Sequence, residues 1–265
     1  PPPGNPRFPA FDGLRAIAAF SVLVFHAAYY SRVSEAAGGA SPYLARLNIG
    51  VAVFFVISGF LLYRPLLAAR AGQGPPVRLR DYARRRVLRI VPAYWVALTV
   101  LAIYPGLTGA FSGRWWVYYG FGQDYGTRTV VQGIGPAWSL GCEVVFYALL
   151  PFISRGLGWA AERAGRRAWW QLELGVLGLL SAASFGIRAV AATHPSVPVS
   201  TFATTFAWFA VGMALAVWSV CGRAGARTER YAWLGWVVAA AAYVVICRGL
   251  GLPAGNVLPV SYTHL

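Results

Sequence analysis

Apolar residues run along this chain in long unbroken blocks. Seven of them, about 12–31, 48–68, 87–105, 136–155, 171–192, 201–221 and 231–250, each approach the length a helix needs to cross a hydrocarbon core. The blocks are continuous rather than alternating, which argues against a β-barrel. A lipid-exposed open sheet is excluded because its backbone groups would have no partners in hydrocarbon. The predicted fold class is therefore all-α, a multi-pass transmembrane helical bundle of about seven spans. Between the third and fourth blocks, region 106–135 is rich in Gly and aromatic residues, among them Trp115, Trp116, Tyr118 and Tyr119. That composition suits an interfacial or re-entrant loop. No internal repeat of fixed period is visible.

Composition supports this reading. Of 265 residues, 58% are apolar and only 12% charged, against about 25% charged in soluble domains. The mean hydropathy is +0.55. Cys142, Cys221 and Cys247 lack metal-ligand spacing, so they are expected to be packing residues, with neither a disulfide framework nor a metal implied. The chain opens Pro-Pro-Pro-Gly-Asn-Pro without a Met, which predicts a flexible lead-in over 1–10. The membrane domain is expected over 11–260, with an unassigned tail at 261–265 and the look of a chain cut short. The first block lacks a small-residue cleavage site, so it is not read as a removed signal peptide.

The net charge of +15 comes from 23 arginines and no lysine. In a soluble chain this would suggest nucleic acid; among apolar spans, loading of cytoplasmic loops beside anionic headgroups is the simpler account, and no nucleic-acid partner is expected. With the N-terminus cytoplasmic, 17 arginines fall inside and 6 outside, and the alternation holds at every loop. The expected location is thus the cell membrane, multi-pass, with the N-terminus in the cytoplasm. Arg15 then lies near the cytoplasmic surface and His26 in the outer half. Glu143, seven residues into its span, lies roughly 10 Å from the outer end, at a depth similar to that of His26.

Four stretches carry candidate chemistry. Arg15 and His26 are eleven residues apart, which returns a helix to within about 20° of the same direction and separates them by roughly 16 Å along its axis. Ionisable groups are costly in hydrocarbon, so an intramembrane His is a functional candidate; a packing hydrogen bond would also account for it. Asp12 is spaced to pair with Arg15. Ser139, Glu143 and Tyr147 follow at i, i+4 intervals and share a face; Glu143 either tunes a reacting group or makes a structural bond between helices. Arg86 and Arg89 stand one turn apart in a segment of eight arginines and one acid, Asp81. Arg forks bind phosphate bidentately, although ordinary loop loading explains any single one of them. The segment Asn48 to Leu62 contains Ser58-Gly59, small residues that let helices approach closely.

In this order, these stretches resemble the acyltransferase-3 family of integral membrane acyltransferases. The resemblance is carried by Arg15 and His26 with ten residues between them, by Gly50 to Phe60 (G-V-x-x-F-F-V-x-S-G-F), by Arg86 and Arg89 (R-x-x-R), and by Trp138 to Tyr147 (W-S-L-x-x-E-x-x-F-Y). Many members carry a second acid directly after the Glu; here that position is Val144.

The resemblance implies a bundle of about ten spans, of which this chain holds about seven. It also implies transfer of an acetyl or other acyl group from a cytoplasmic acyl-CoA, acetyl-CoA in the simplest case, to a hydroxyl of a carbohydrate or glycosylated acceptor. On that basis Arg86, Arg89 and Arg15 are expected to hold the donor's phosphates. His26 is expected to act as general base with Glu143 as its orienting partner, and Trp138, Ser139 and Tyr147 to contact substrate. The rival class is a transporter or channel that uses His, Arg and Glu as an intramembrane relay.

Overall fold

The structure is a computed structural model. It describes residues 8–33, 38–126, 128–130, 132–165, 169–194 and 200–221, with the short runs 239–241, 243–245 and 247–248. Among the described residues the regular structure is helical: α1 (Pro9–Tyr30), α2 (Ser41–Leu44), α3 (Ile49–Arg70), α4 (Leu79–Ile103), α5 (Trp115–Tyr119), α6 (Trp138–Ala164), α7 (Trp169–Thr193) and α8 (Phe202–Val220). Six of these segments are long and apolar enough to cross a membrane. They match the first six predicted spans. The seventh lies mostly outside the described residues; in its described part, Tyr243 donates to the Tyr43 carbonyl at 2.7 Å.

Two helices outrun their apolar blocks. α4 begins at Leu79 and α6 runs on to Ala164, each about two turns beyond the predicted boundary. These extensions carry arginines, good helix formers that hydropathy does not count.

The core is the crossing of α3 and α8. A methyl on Gly59 would overlap the Phe209 carbonyl, and one on Gly212 would overlap the Val56 carbonyl, so the two backbones touch where side chains are missing. Around that contact, Phe55, Phe146 and Phe209 form a stack with ring centroids 4.4 and 4.2 Å apart. α1 packs on α3 through Gly50, which faces the Ala18 carbonyl and Val22, and through Phe11 against Phe60 at 4.9 Å.

A buried polar clamp joins α3, α6 and α7. Glu173 is completely buried, accepts from Tyr63 Oη at 2.7 Å, and pairs with Arg70. Arg70 also donates to the Ser154 carbonyl at 2.7 Å. A second tie uses a proline. Pro151 lacks the N–H that would bond the Tyr147 carbonyl one turn earlier, and Tyr82 Oη donates to that carbonyl at 3.1 Å, joining α4 to α6.

The aromatic segment between α4 and α6 folds back into the bundle. Tyr118 is buried and accepts through its carbonyl from Tyr94 Oη at 2.9 Å; Phe121 stacks on Tyr94 at 4.4 Å; Tyr119 accepts from Trp95 Nε1 at 2.9 Å. Tyr94 lies nine residues before the end of α4, so the segment descends about 13 Å alongside that helix. α6 consequently starts inside the bundle rather than at its rim.

Candidate functional site

A cavity of about 570 Å³ lies between α3, α4 and α6, with Arg15 of α1 on its wall. The i, i+3, i+4 rhythm of each helix selects which residues reach it. α4 contributes Arg86, Arg89, Ile90, Ala93, Tyr94 and Ala97; α6 contributes Ser139, Leu140, Glu143 and Tyr147; α3 contributes Ser58 among apolar neighbours.

Glu143 is the polar centre of this cavity. It accepts from Ser58 Oγ at 3.0 Å and from Tyr147 Oη at 2.8 Å. Both bonds follow from local geometry. Tyr147 is one turn along α6 on the same face, and Ser58 reaches across from α3, while Gly59 beside it lets α3 pack closely on α8. Of the Ser58-Gly59 pair, then, Gly59 serves packing and Ser58 reaches the carboxylate. Arg86 stacks its guanidinium over the Tyr147 ring, 5.8 Å from the centroid, and its Nε is buried without a hydrogen-bond partner among the described residues. Arg15 bonds Asp12 at 3.0 Å.

The structure thus brings Arg15, Arg86, Arg89, Ser139, Glu143 and Tyr147 together. It does not bring Trp138 or His26 to the cavity wall. Trp138 is buried, with its ring edge-on to Phe55 at 6.2 Å. His26 is half-buried farther along α1, with Nδ1 2.8 Å from the Val22 carbonyl. A carbonyl only accepts, so Nδ1 donates in this contact, which leaves Nε2 as the ring nitrogen turned away from the α1 backbone.

The direct His26–Glu143 contact expected from sequence is not made. Ser58, which holds Glu143, lies eight residues along α3 from Gly50, and His26 lies four residues beyond Val22, the neighbour of Gly50. Those offsets place the two groups about 18 Å apart along the bundle axis. Counting residues from the start of the apolar block places Glu143 near the outer rim, whereas the inward fold of the preceding segment starts α6 deeper.

Two buried acids were not singled out from sequence. Glu173 could have been, because it interrupts an apolar block. Asp124 is 1% exposed, and neither of its carboxylate oxygens has a hydrogen-bond partner among the described residues. Burial pushes its pKa up to about 8. Its carboxylate lies against Gly141 of α6, in space that any side chain at 141 would fill. No local pattern marks such a position, since its burial depends on how the loop docks.

Comparisons with known proteins identify relatives of this chain. A Listeria monocytogenes protein named peptidoglycan O-acetyltransferase OatA is 30% identical over 207 residues, covering 71% of this chain and 30% of the relative. A Staphylococcus aureus protein named O-acetyltransferase OatA is 28% identical over 164 residues, covering 56% of this chain and 25% of the relative. The chain thus spans between a quarter and a third of the length of these relatives. No solved structure matches it. The acyltransferase-3 model, described as an acyltransferase domain, matches residues 8–264. With nearly the whole length matched, and with the Arg, Ser and Glu positions of its motifs gathered on one cavity, the chain belongs to the acyltransferase-3 family.

Proposed function

We propose that this chain is the membrane part of an O-acyltransferase that moves an acetyl or similar acyl group from acyl-CoA to a carbohydrate hydroxyl. The names of its relatives point to a peptidoglycan-like glycan as the acceptor class. The observation that carries the reading is the cavity itself. Three arginines meet there beside a hydrogen-bonded carboxylate, and an apolar stretch formed by Ile90, Ala93 and Ala97 leads onward. Arg86, Arg89 and Arg15 hold the donor's diphosphate, and the uncharged arm lies along the apolar stretch. The arginine-rich end faces the cytoplasm, where acyl-CoA is found, in keeping with the positive-inside bias.

In this reading Glu143, held by Ser58 and Tyr147, orients the donor by accepting from a donor N–H or O–H, while Ser139 and Tyr147 contact the same ligand. Trp138 supports that wall from behind through Phe55. His26, with Nε2 unprotonated, is the base at the far end of the donor's reach. The acceptor's O–H bond breaks with its proton passing to Nε2. Its oxygen attacks the thioester carbonyl, the C–S bond breaks, and the imidazolium returns the proton to the leaving thiolate. Protons balance without any further reagent.

The test is transfer of labelled acetyl from acetyl-CoA to a glycan acceptor by the full chain in membranes. His26→Ala is expected to lower kcat by about 10²–10⁴-fold, and Glu143→Gln to raise KM for acetyl-CoA more than it lowers kcat. Full activity in a correctly inserted His26→Ala protein removes His26 from the mechanism. Absence of transfer by the unaltered protein with every acetyl donor overturns the reading.

A further inference from the structure

One stripe of α4 lines two cavities. Arg86, Arg89, Tyr94 and Ala97 face the cavity described above. Arg78, Asp81, Arg85 and, again, Arg86 face a second cavity of about 610 Å³. The two share Leu61 and Leu62 as well, so they adjoin, with Arg86 at the junction.

Charge is graded along this stripe. From Arg78 to Ala97 it extends about 28 Å, cationic over roughly the first 16 Å and uncharged over the remainder. A matching ligand is long, polyanionic in one half and neutral in the other. The proposed diphosphate contacts engage Arg86, Arg89 and Arg15, which leaves Arg78 and Arg85 on the second cavity. These two are seven residues apart, two turns on one face, and among the described residues Asp81 is the only acid on that cavity's wall. A phosphate monoester carries nearly two negative charges and suits two guanidinium forks.

We infer that the second cavity is a binding site for an additional phosphate at the donor's far end, read by Arg78 and Arg85. The inference rests on the acyl-CoA reading and deepens it. It makes the protein selective for nucleotide-borne thioesters that carry a terminal phosphate monoester, over thioesters on a bare phosphopantetheine arm.

The experiment compares acetyl-CoA with acetyl-3′-dephospho-CoA in transfer assays on the full chain in vesicles. The unaltered protein should show a KM for the dephospho donor about tenfold higher or more, the size of one lost charge-assisted contact. In the Arg78→Gln/Arg85→Gln protein that ratio should fall to about one. Arg163→Gln, which removes a charge at the same end of the bundle without lining either cavity, should keep the ratio. Equal KM values in the unaltered protein, with acetyl-CoA turned over normally, overturn the inference and leave the acyltransferase reading standing. A ratio retained in the double variant overturns it too. If anionic headgroups fill the second cavity instead, the ratio is one and activity follows the vesicles' phosphatidylglycerol content, which also overturns it. No acetyl-CoA turnover at all overturns the underlying reading and the inference together.

Discussion

Replacing Glu173 by Gln should destabilise the bundle through a charge, not through packing. The side chain keeps its shape, but Arg70 loses its anionic partner. Breaking one side of a buried ion pair costs about 3–5 kcal/mol. Two features lower that figure here. Arg70 is 25% exposed and retains the Ser154 carbonyl at 2.7 Å. The unfolded state of a membrane protein also finds alternative polar partners. A loss of about 2 kcal/mol is therefore expected. Arg70→Met should cost more, because it leaves Glu173 with no exposure to water at all. Removing both charges in Arg70→Met/Glu173→Leu should bring the protein back to within about 1 kcal/mol of the unaltered chain, since well-packed apolar replacements of buried pairs are close to neutral. Unfolding in mixed micelles on dodecyl sulfate titration, followed by tryptophan fluorescence, gives all four corners of the cycle when the unaltered chain, Arg70→Met, Glu173→Leu and the double variant are compared. If the double variant loses the sum of the single losses, the coupling is absent and the clamp is not what holds α3 to α7.

Asp124 makes stability depend on pH. Its raised folded-state pKa means that the folded protein binds this proton more tightly than the unfolded chain does, so stability falls as pH rises from about 4 to about 8 and levels off above that. Asp124→Asn should remove a slope worth a few kcal/mol over that window; identical pH profiles of the thermal midpoint for the two proteins would contradict this. Tyr82→Phe should cost about 1 kcal/mol by stranding the Tyr147 carbonyl. Pro151→Ala in the same protein should recover that loss by restoring the missing N–H, and thermal midpoints that show no recovery would rule out the proline-gap account.

Sequence carried the spans well for a physical reason. A membrane-crossing helix must be apolar over nearly all its length, so its ends are set by composition. It carried helix faces equally well: Ser139, Glu143 and Tyr147 share a side because 3.6 residues make a turn. It failed on depth and on contacts between helices. Ser58 as the partner of Glu143, and the 18 Å offset of His26 from Glu143, both depend on an aromatic segment that folds inward through Tyr118 and Phe121. Hydropathy cannot distinguish such a segment from one lying on the membrane surface. The early start of α4 was hidden because arginines favour helix yet look like loop on a hydropathy scale. The burial of Asp124 was hidden for the same reason as the depth of α6.

In the proposed mechanism the cavity between α3, α4 and α6 receives the phosphates of the acyl donor. Calorimetric titration of CoA into the full chain, beside its Arg86→Gln/Arg89→Gln variant, tests it most directly. Loss of two charge-assisted contacts should weaken binding about 100-fold or more and flatten its dependence on salt. An unchanged Kd in a variant that still unfolds cooperatively would show that the donor binds elsewhere.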